Sequence, residues 1–331
     1  MSVQDEKKVS EVLEKDDYQV NSQILGNIHK LPMGVRYIWQ IPRPYLFLLF
    51  ADPCQILVDK VSPKKYESKE PGCVLAWCTA MRFCLQRVHN KNEFTRVISL
   101  SDYMYFNDLL TRNVDRLLTG HKPGTVRSSA VFFESQIKHH TDMGIVEAIE
   151  YKKKCEKQYQ HCRGTAGESF KILREDGFVS DSDNRLLNGI KNYSVRSGFT
   201  IEDKSVEFHC LAPSSREKDK SGRPCGVLFK NELGKLAEHF FEKMNKKLVT
   251  LCKSKKDEEA RLDALLDILS KAIPRLQQLH IPMDGTGRTN LLLIHYLLAY
   301  CDLPPVVLMD PNATSILHKK RCKKIPDYHL T

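Results

Sequence analysis

The strongest hydrophobic pattern lies in the last third of the chain. Residues 289–300, TNLLLIHYLLAY, are apolar on every helical face after Asn290, which predicts a helix buried inside a helical core. Residues 229–251 and 257–279 instead space their apolar side chains three and four positions apart, which predicts two long amphipathic helices. The apolar face of the first of these is formed by Phe229, Leu233, Leu236, Phe240 and Met244.

Shorter segments elsewhere also have helical spacing. They are residues 72–88, 101–118, 130–140 and 143–159. Strand patterns are rarer. Residues 45–51 form an apolar run bracketed by prolines, and we expect a buried strand there.

A period-two pattern occurs within residues 192–215. Phe199 and Ile201 precede the polar residues 202–205, and Val206, Phe208 and Cys210 follow them, each alternating with other side chains. This alternation predicts a β-hairpin, which needs a surface to pack against.

These patterns predict a mainly α fold with one small β-hairpin, and a linker composition at residues 119–125 suggests a division of the chain. Residues 1–120 would form an N-terminal region of mixed α/β character, to which the sequence assigns no role. Residues 121–331 would form the helical domain, which ends in a basic tail. A chain of 331 residues is long enough for a large core in either arrangement.

The chain carries a formal net charge of +10, which favours anionic partners or simply gives a soluble basic surface. Its eleven cysteines are odd in number, scattered, and without a Cys-x-x-Cys pair. This usage argues for reduced thiols in a cytosolic setting, and against a disulfide framework or a zinc site.

The candidate chemistry is concentrated in a loop just before the apolar helix. Residues 280–288 bring together an imidazole, a carboxylate, two glycines and a guanidinium within nine positions. A glycine-flanked turn that enters a helix leaves backbone N–H groups pointing outward at the positive end of the helix dipole, so it can bind an anion. Arg288 can add a charged hydrogen bond, Asp284 can hold a divalent metal at phosphate oxygens, and His280 can take a proton from a hydroxyl.

The run HIPMDGTGR at 280–288 resembles the signature loop of the Fic (Fic/Doc) family, His-x-Phe-x-Asp/Glu-Gly-Asn-Gly-Arg-x-x-Arg, which lies between two helices of an all-helical core. The resemblance implies a protein adenylyltransferase, which moves AMP or another phosphate-containing group from a nucleotide such as ATP to a Ser, Thr or Tyr hydroxyl of a target protein. It assigns the general base to His280, the Mg²⁺ ligand to Asp284, and the phosphate-binding positions to Gly285, Thr286, Gly287 and Arg288.

The resemblance extends more loosely over residues 128–310. Residues 127–130 are similar to the start of the first core helices of the family, and residues 192–215 to its β-hairpin flap, which docks the target segment. The flap positions in this chain are Val206, Glu207, Phe208 and His209.

Three positions depart from the family pattern. Pro282 replaces the aromatic residue that anchors the loop, Thr286 replaces the asparagine, and Leu291 stands where the second arginine would be. That arginine reaches the terminal phosphate of ATP and pairs with an inhibitory glutamate in many members, so we expect no such inhibition here.

The departures leave three alternatives open. The protein transfers phosphocholine or another group from a diphosphate donor such as CDP-choline, or it is a non-catalytic Fic-fold protein that only holds an anionic ligand. In the third alternative the two glycines form a tight interhelical turn, with His280 as a C-terminal cap and Asp284 as an N-terminal cap.

The first twenty residues are polar and charged, where a secretory signal would need an apolar run, so we expect a protein that is cytoplasmic as made. Reduced cysteines and a Fic-like loop would suit a bacterial effector that acts in host cytosol. The basic run 318–324 is a solvated tail or a contact to an acidic membrane surface. No nucleic-acid partner is expected.

Overall fold

The computed structural model describes residues 31–41, 46–51, 62–115, 121–135, 141–162, 170–174, 177–180, 206–213, 225–254 and 257–308. The described chain is mainly helical, as predicted. Its helices are α1 (Met33–Gln40), α2 (Pro63–Lys69), α3 (Cys73–His89), α4 (Leu100–Thr111), α5 (Asp142–Gln158), α6 (Cys225–Cys252), α7 (Glu258–Leu279) and α8 (Thr286–Tyr300). Short 3-10 turns occur at Phe47–Leu49, Lys91–Glu93 and Gln160–Cys162.

Helix α8 is the centre of the fold. Every residue from Thr289 to Tyr300 is buried, which confirms the prediction from its apolar sequence. Helices α1, α3, α4 and α7 all contact it, and α6 packs on α7 and α4. One hydrophobic core therefore joins residues on both sides of position 120. The division of the chain there stays a prediction, but the two parts share this core.

The helix boundaries follow local capping chemistry. Asp257 precedes α7 and accepts a hydrogen bond from Ala260 N at 2.8 Å. Ser99 and Asp102 form a capping box at the start of α4. Glu67 of α2 accepts from Val74 N at 2.8 Å and so caps α3 from a neighbouring helix. These contacts satisfy N–H groups that a helix end leaves without partners.

A small antiparallel sheet lies beside α5. Its strands are β1 (Phe132–Ser135), β2 (Phe170–Arg174), β3 (Gly177–Ser180) and β4 (Val206–His209), in the order β1-β4-β2-β3. Phe208 of β4 is opposite Phe133 of β1 on one side and opposite Phe170 of β2 on the other. Val206 and Phe208 form a second buried cluster with Ile145 and Ile149 of α5.

The predicted hairpin is therefore corrected. Val206–His209 is a strand, but it lies inside a sheet and both of its edges are paired with distant segments. The other predicted arm and its turn, residues 192–205, lie outside the described residues. The alternating pattern predicted which side chains of the strand are buried, but not which strands pair with it.

Two further segments differ from expectation. Residues 130–140 were expected to be helical, yet β1 begins at Phe132, and residues 127–130 form no helix before it. The run 45–51 contains a buried 3-10 turn, Phe47–Leu49, rather than a strand. A short apolar run fits either a strand or a helical turn, and here the Phe47 ring packs edge-on against Phe50 and Tyr66.

The expected α/β character of the N-terminal region stays a prediction, since much of the strand-like stretch 41–61 lies outside the described residues. In the ranges 31–41, 46–51 and 62–115 the structure contains helices and 3-10 turns but no strand. Within the described part of the chain, every helix falls short of the length and apolar character that a bilayer crossing requires.

Candidate functional site

The loop between α7 and α8 is held between two left-handed backbone positions. His280 ends α7 with φ 45° and ψ 59°, and its N–H donates to Leu276 O at 2.9 Å. Gly285 precedes α8 with φ 73°. Left-handed backbone is unusual for a residue with a side chain, so the fold must hold His280 in place.

Arg127 supplies that hold. Its guanidinium, only 3% exposed, donates from Nε to His280 O at 2.6 Å and from Nη2 to Leu279 O at 3.2 Å. It also donates to Leu211 O and Ser129 O, and the Arg127 backbone N–H donates to Ile281 O at 2.9 Å. The last carbonyls of a helix are its negative end, so one buried cation fixes the end of α7 and the path of the loop.

Burial lowers the pKa of Arg127 to about 10, so the guanidinium stays charged at neutral pH. The face of the Phe229 ring lies 5.1 Å from its central carbon. The positive charge is thus balanced by carbonyl dipoles and one aromatic ring.

The His280 imidazole is buried beneath the sheet. It is 9% exposed, and the Phe133 ring of β1 stacks on it with centroids 6.0 Å apart and planes 18° apart. Burial, and after it the Arg127 charge, lowers the pKa of His280 to about 3, against smaller opposing effects of the Asp284 carboxylate and the backbone of Gln277. The imidazole is neutral at pH 7 and keeps a lone pair that can accept a proton.

The start of α8 has the features of an anion-binding helix end. Gly285 provides no side-chain cap, and the N–H groups of Thr286, Gly287 and Arg288 have no acceptor within the helix. A Cβ added at Gly287 would meet no described atom within 4 Å, and Gly287 is exposed. Among the described residues, the fold therefore leaves open space beside Gly287 at the first turn of α8.

Buried polar atoms without partners cluster at this loop. Among the described residues six such side-chain atoms occur, and three belong here: His280 Nδ1, Thr286 Oγ1 and His121 Nδ1. A buried polar atom without a hydrogen bond costs about 1–3 kcal/mol, so such atoms in a native protein suggest a water or ligand as the missing partner.

Asp284 is half-buried, and its Oδ1 accepts from Gly285 N at 2.6 Å. No group of three or more His, Cys, Asp and Glu side chains in the described ranges could hold a metal by itself. A single carboxylate nevertheless fits Mg²⁺, which commonly uses one or two carboxylates together with substrate phosphates and water.

Arg288 is not free for a ligand. Its Nη1 lies 2.9 Å from Glu70 Oε2, at the end of α2, and the two side chains are 25% and 47% exposed. This pair was not predicted, because the two residues are 218 positions apart in the chain. The sequence predicted no inhibitory glutamate, because the second arginine of the Fic loop is absent. In the structure a glutamate, Glu70, pairs instead with Arg288, which matches the first arginine of that loop.

Helix α4 fixes the loop from the opposite side. Asn107, fully buried, donates from Nδ2 to Asp284 O at 2.9 Å and to Thr289 Oγ1 at 3.2 Å. Its Oδ1 accepts from Gly124 N at 3.3 Å. A single amide thus joins the loop, α8 and the segment 121–124, a connection that spacing in the sequence does not indicate.

His121 is a second imidazole at the loop that sequence reasoning missed. The Thr111 hydroxyl donates its only proton to Asn107 O at 2.7 Å, so at its 3.0 Å contact with His121 Nε2 it must accept. The His121 Nδ1 atom therefore carries the lone pair. Burial lowers the pKa of His121, with opposite contributions from the nearby Asp284 and Arg288 charges.

The predicted flap residues divide between two faces of β4. Val206 and Phe208 face the buried cluster with α5, whereas His209 Nε2 lies 2.8 Å from Glu207 Oε1 on the other face. Both edges of β4 are paired, so its backbone has no edge to offer a target segment, contrary to the expectation for a flap. Among the described strands it is β1, through Phe133, that reaches His280.

Comparison with known proteins adds no relative: no family model matches the chain, and a search of curated proteins finds no match.

Replacing Arg127 tests the hold on the loop. Arg127→Lys keeps the charge but cannot reach four carbonyls at once, so we expect it to lower the free energy of unfolding by about 3–5 kcal/mol. Arg112→Lys is the control, because Arg112 is exposed and its change should stay within about 0.5 kcal/mol. Urea denaturation measures both. Equal midpoints for the two variants would contradict this role.

Gly285 and Gly234 form a matched pair for the loop geometry. A Cβ at Gly285 would lie 2.6 Å from Thr111 Cγ2 at a positive φ, whereas a Cβ at Gly234, inside α6, meets nothing within 4 Å. We expect Gly285→Ala to destabilise by about 2–4 kcal/mol and Gly234→Ala to stabilise by about 0.5–1 kcal/mol. Thermal and urea unfolding measure the difference, and a neutral Gly285→Ala would show that the turn is not constrained.

Proposed function

We propose that the protein transfers a phosphate-containing group, AMP in the first instance, from a nucleotide donor to a Ser, Thr or Tyr hydroxyl of a target protein. The loop 280–288 would be the active site, and the fold would be a divergent Fic-like domain. The proposal extends the sequence resemblance to a site whose described contacts are compatible with it.

One observation carries the proposal. The uncapped start of α8, where Gly287 faces open space, lies in the same short loop as a buried, neutral His280 whose Nδ1 has no partner among the described residues. An anion-binding helix end and a proton acceptor are the two elements that hydroxyl attack on a phosphate needs. A simple interhelical turn needs neither.

The proposed chemistry follows from these groups. The target hydroxyl oxygen forms a bond to the donor phosphorus, its proton passes to an imidazole nitrogen of His280, and the bond from phosphorus to the leaving phosphate breaks. The N–H groups of Thr286 and Gly287, with Arg288 once it leaves Glu70, stabilise the charge on the phosphate oxygens. Asp284 would hold Mg²⁺, which when bound neutralises phosphate charge.

Leu291 affects whether the site prefers a triphosphate or a diphosphate donor. This side chain is 6% exposed and belongs to the hydrophobic core, so it cannot contact a phosphate. The charged hydrogen bond that an arginine at this position would make to a phosphate contributes about 1.5–3 kcal/mol. Without it, a triphosphate loses its advantage over a diphosphate donor such as CDP-choline, and both remain within the proposal.

A second candidate function has its own support. The His280 pKa of about 3 makes a weak base, and Glu70 already pairs with Arg288. Both features fit a Fic-fold protein that binds an anionic ligand at the start of α8 without transferring it.

Gly287→Ala tests ligand binding without disturbing the fold. Alanine is favoured over glycine inside a helix, and the new Cβ meets no described atom. It would occupy the open space beside Gly287, where the proposal places the ligand. We expect the Tm to be equal or higher and binding of ATP, ADP and CDP-choline to weaken by about tenfold or more. Gly234→Ala is the control, and titration calorimetry with and without Mg²⁺ is the measurement.

Transfer is measured on the same proteins, with each donor labelled in the group that would move, in the presence of a cell lysate. His280→Asn is the catalytic variant, because asparagine tolerates the left-handed backbone. Transfer by wild type but not by His280→Asn supports the enzyme, and binding without transfer supports the second candidate. If wild type binds none of the three nucleotides, the proposed transfer from a nucleotide donor is wrong.

Glu70→Gln tests competition for Arg288. Removing the carboxylate should free the guanidinium and tighten nucleotide binding about two- to fivefold, because a half-exposed ion pair contributes under about 1 kcal/mol. The gain should be smaller at high salt, which screens the ion pair. Asp263→Asn removes the same charge from an exposed position on α7, about 25 Å along the helix from His280. An equal gain in both variants would indicate net charge rather than the Glu70 contact.

A further inference from the structure

The C-terminal ends of α6 and α8 bring two cysteines together, away from the loop 280–288. Cys252 is the last residue of α6, and Cys301 directly follows α8. Their sulfur atoms are 3.6 Å apart. A disulfide bond has sulfur atoms about 2.0 Å apart, so the two sulfur atoms would have to approach by about 1.5 Å.

The two thiols differ in access. Cys301 is buried, 4% exposed, whereas Cys252 is exposed to solvent. A reagent can therefore reach Cys252 first, and Cys301 lies within reach of the sulfur that has reacted. This is the arrangement of an attacking thiol and a resolving thiol.

The surroundings favour the thiolate at Cys252. Its pKa is lowered by the hydrogen bond with Cys301 and by the charge of Lys91, against the effect of burial. Cys78, the other exposed cysteine described, has its pKa raised by burial. The thiolate is the reactive form of cysteine, so the two exposed cysteines should differ in reactivity.

Neighbouring contacts hold the Cys301 side of the pair in position. Lys91 Nζ lies 2.6 Å from Asp302 Oδ2, and Arg261 Nη1 donates to Cys301 O at 3.2 Å. Asp302 Oδ1 also accepts from Gly34 N of α1 at 3.4 Å. The end of α8 is therefore joined to α1 and α7 beside the Cys301 sulfur.

We propose that Cys252 and Cys301 are a site of reversible covalent modification, in which a low-molecular-weight disulfide oxidises them to an intramolecular disulfide. The Cys252 thiolate attacks one sulfur of the reagent, its S–S bond breaks, and one small thiolate leaves. The Cys301 thiol then loses its proton and attacks the Cys252 sulfur, and the second small thiolate leaves. Two protein thiols are oxidised, and one small disulfide is reduced to two thiols.

The disulfide would join the ends of two core helices and close a long segment of chain, so it should stabilise the fold. Helix α8 has 15 residues, which separates the pair from the start of α8 by about 22 Å. The proposal is therefore independent of the proposed function. The cysteines would stay reduced in a reducing compartment, because the disulfide forms only where a small disulfide is in excess.

Oxidised glutathione is the probe, applied to the purified full-length protein. After blocking of remaining thiols under denaturing conditions, peptide mass mapping should show a Cys252–Cys301 crosslink, and the Tm should rise by about 5–10 °C relative to protein in dithiothreitol. Dithiothreitol should reverse both changes. Cys252→Ser should abolish the crosslink and the Tm rise, and Cys78→Ser should leave both unchanged.

Cys301→Ser provides a second check, because Cys252 should then stop as a mixed disulfide with glutathione. The proposal is overturned if wild type also stops at the mixed disulfide, if a different pair of cysteines forms, or if the crosslinked protein has an unchanged or lower Tm.

Discussion

A single buried cation holds the loop and its surroundings together. Arg127 donates to carbonyls at the end of α7, at Ser129 before β1, and at Leu211 after β4. Removing a charge from water is costly unless dipoles replace the lost solvation, and here the acceptors are the carbonyls that a helix end and two strand ends leave unpaired. The charge and the carbonyls satisfy each other, which joins the helical core to the sheet.

This arrangement determines the geometry of the loop. With the end of α7 fixed by Arg127 and Asp284 O held by Asn107 of α4, the chain turns through left-handed positions at His280 and Gly285. Helix α8 then starts at a fixed point, because Thr286 and every residue from Thr289 to Tyr300 are buried. Backbone N–H groups set by a rigid scaffold need no rearrangement to meet an anion, and such preorganisation is where electrostatic stabilisation is most effective.

The sequence predicted the elements whose apolar side chains recur at regular spacing. Five helices were predicted because each has an apolar face or is apolar on all faces: α3, α5, α6, α7 and α8. On α6, however, Phe241 is buried more deeply than the predicted Phe240. The 3-10 turn at Phe47–Leu49 and the strand β1 were missed, since a short apolar run fits several structures equally well. The loop itself was found because its residues are adjacent in the chain.

The partners of that loop could not be predicted in the same way. Arg127, Asn107, His121 and Glu70 all come from elsewhere in the chain, and most of their contacts are with backbone atoms, which leave no trace in residue identity. The three departures from the Fic loop pattern, Pro282, Thr286 and Leu291, are all buried in the structure. The turn between the two helices forms with these residues in place.

The decisive physical question at the site is the basicity of His280. Burial and the Arg127 charge hold its pKa at about 3, well below the neutral range in which a general base is most effective. Raising it by three units requires about 4 kcal/mol of added attraction for the imidazolium. One net negative charge about 4 Å away, at an effective dielectric constant near 20, supplies about that amount. In the proposed reaction, a phosphate about 4 Å from the imidazole would therefore make His280 a more effective base. The proposed transfer would then depend on a ligand that stays net negative beside His280, whereas anion binding alone would not.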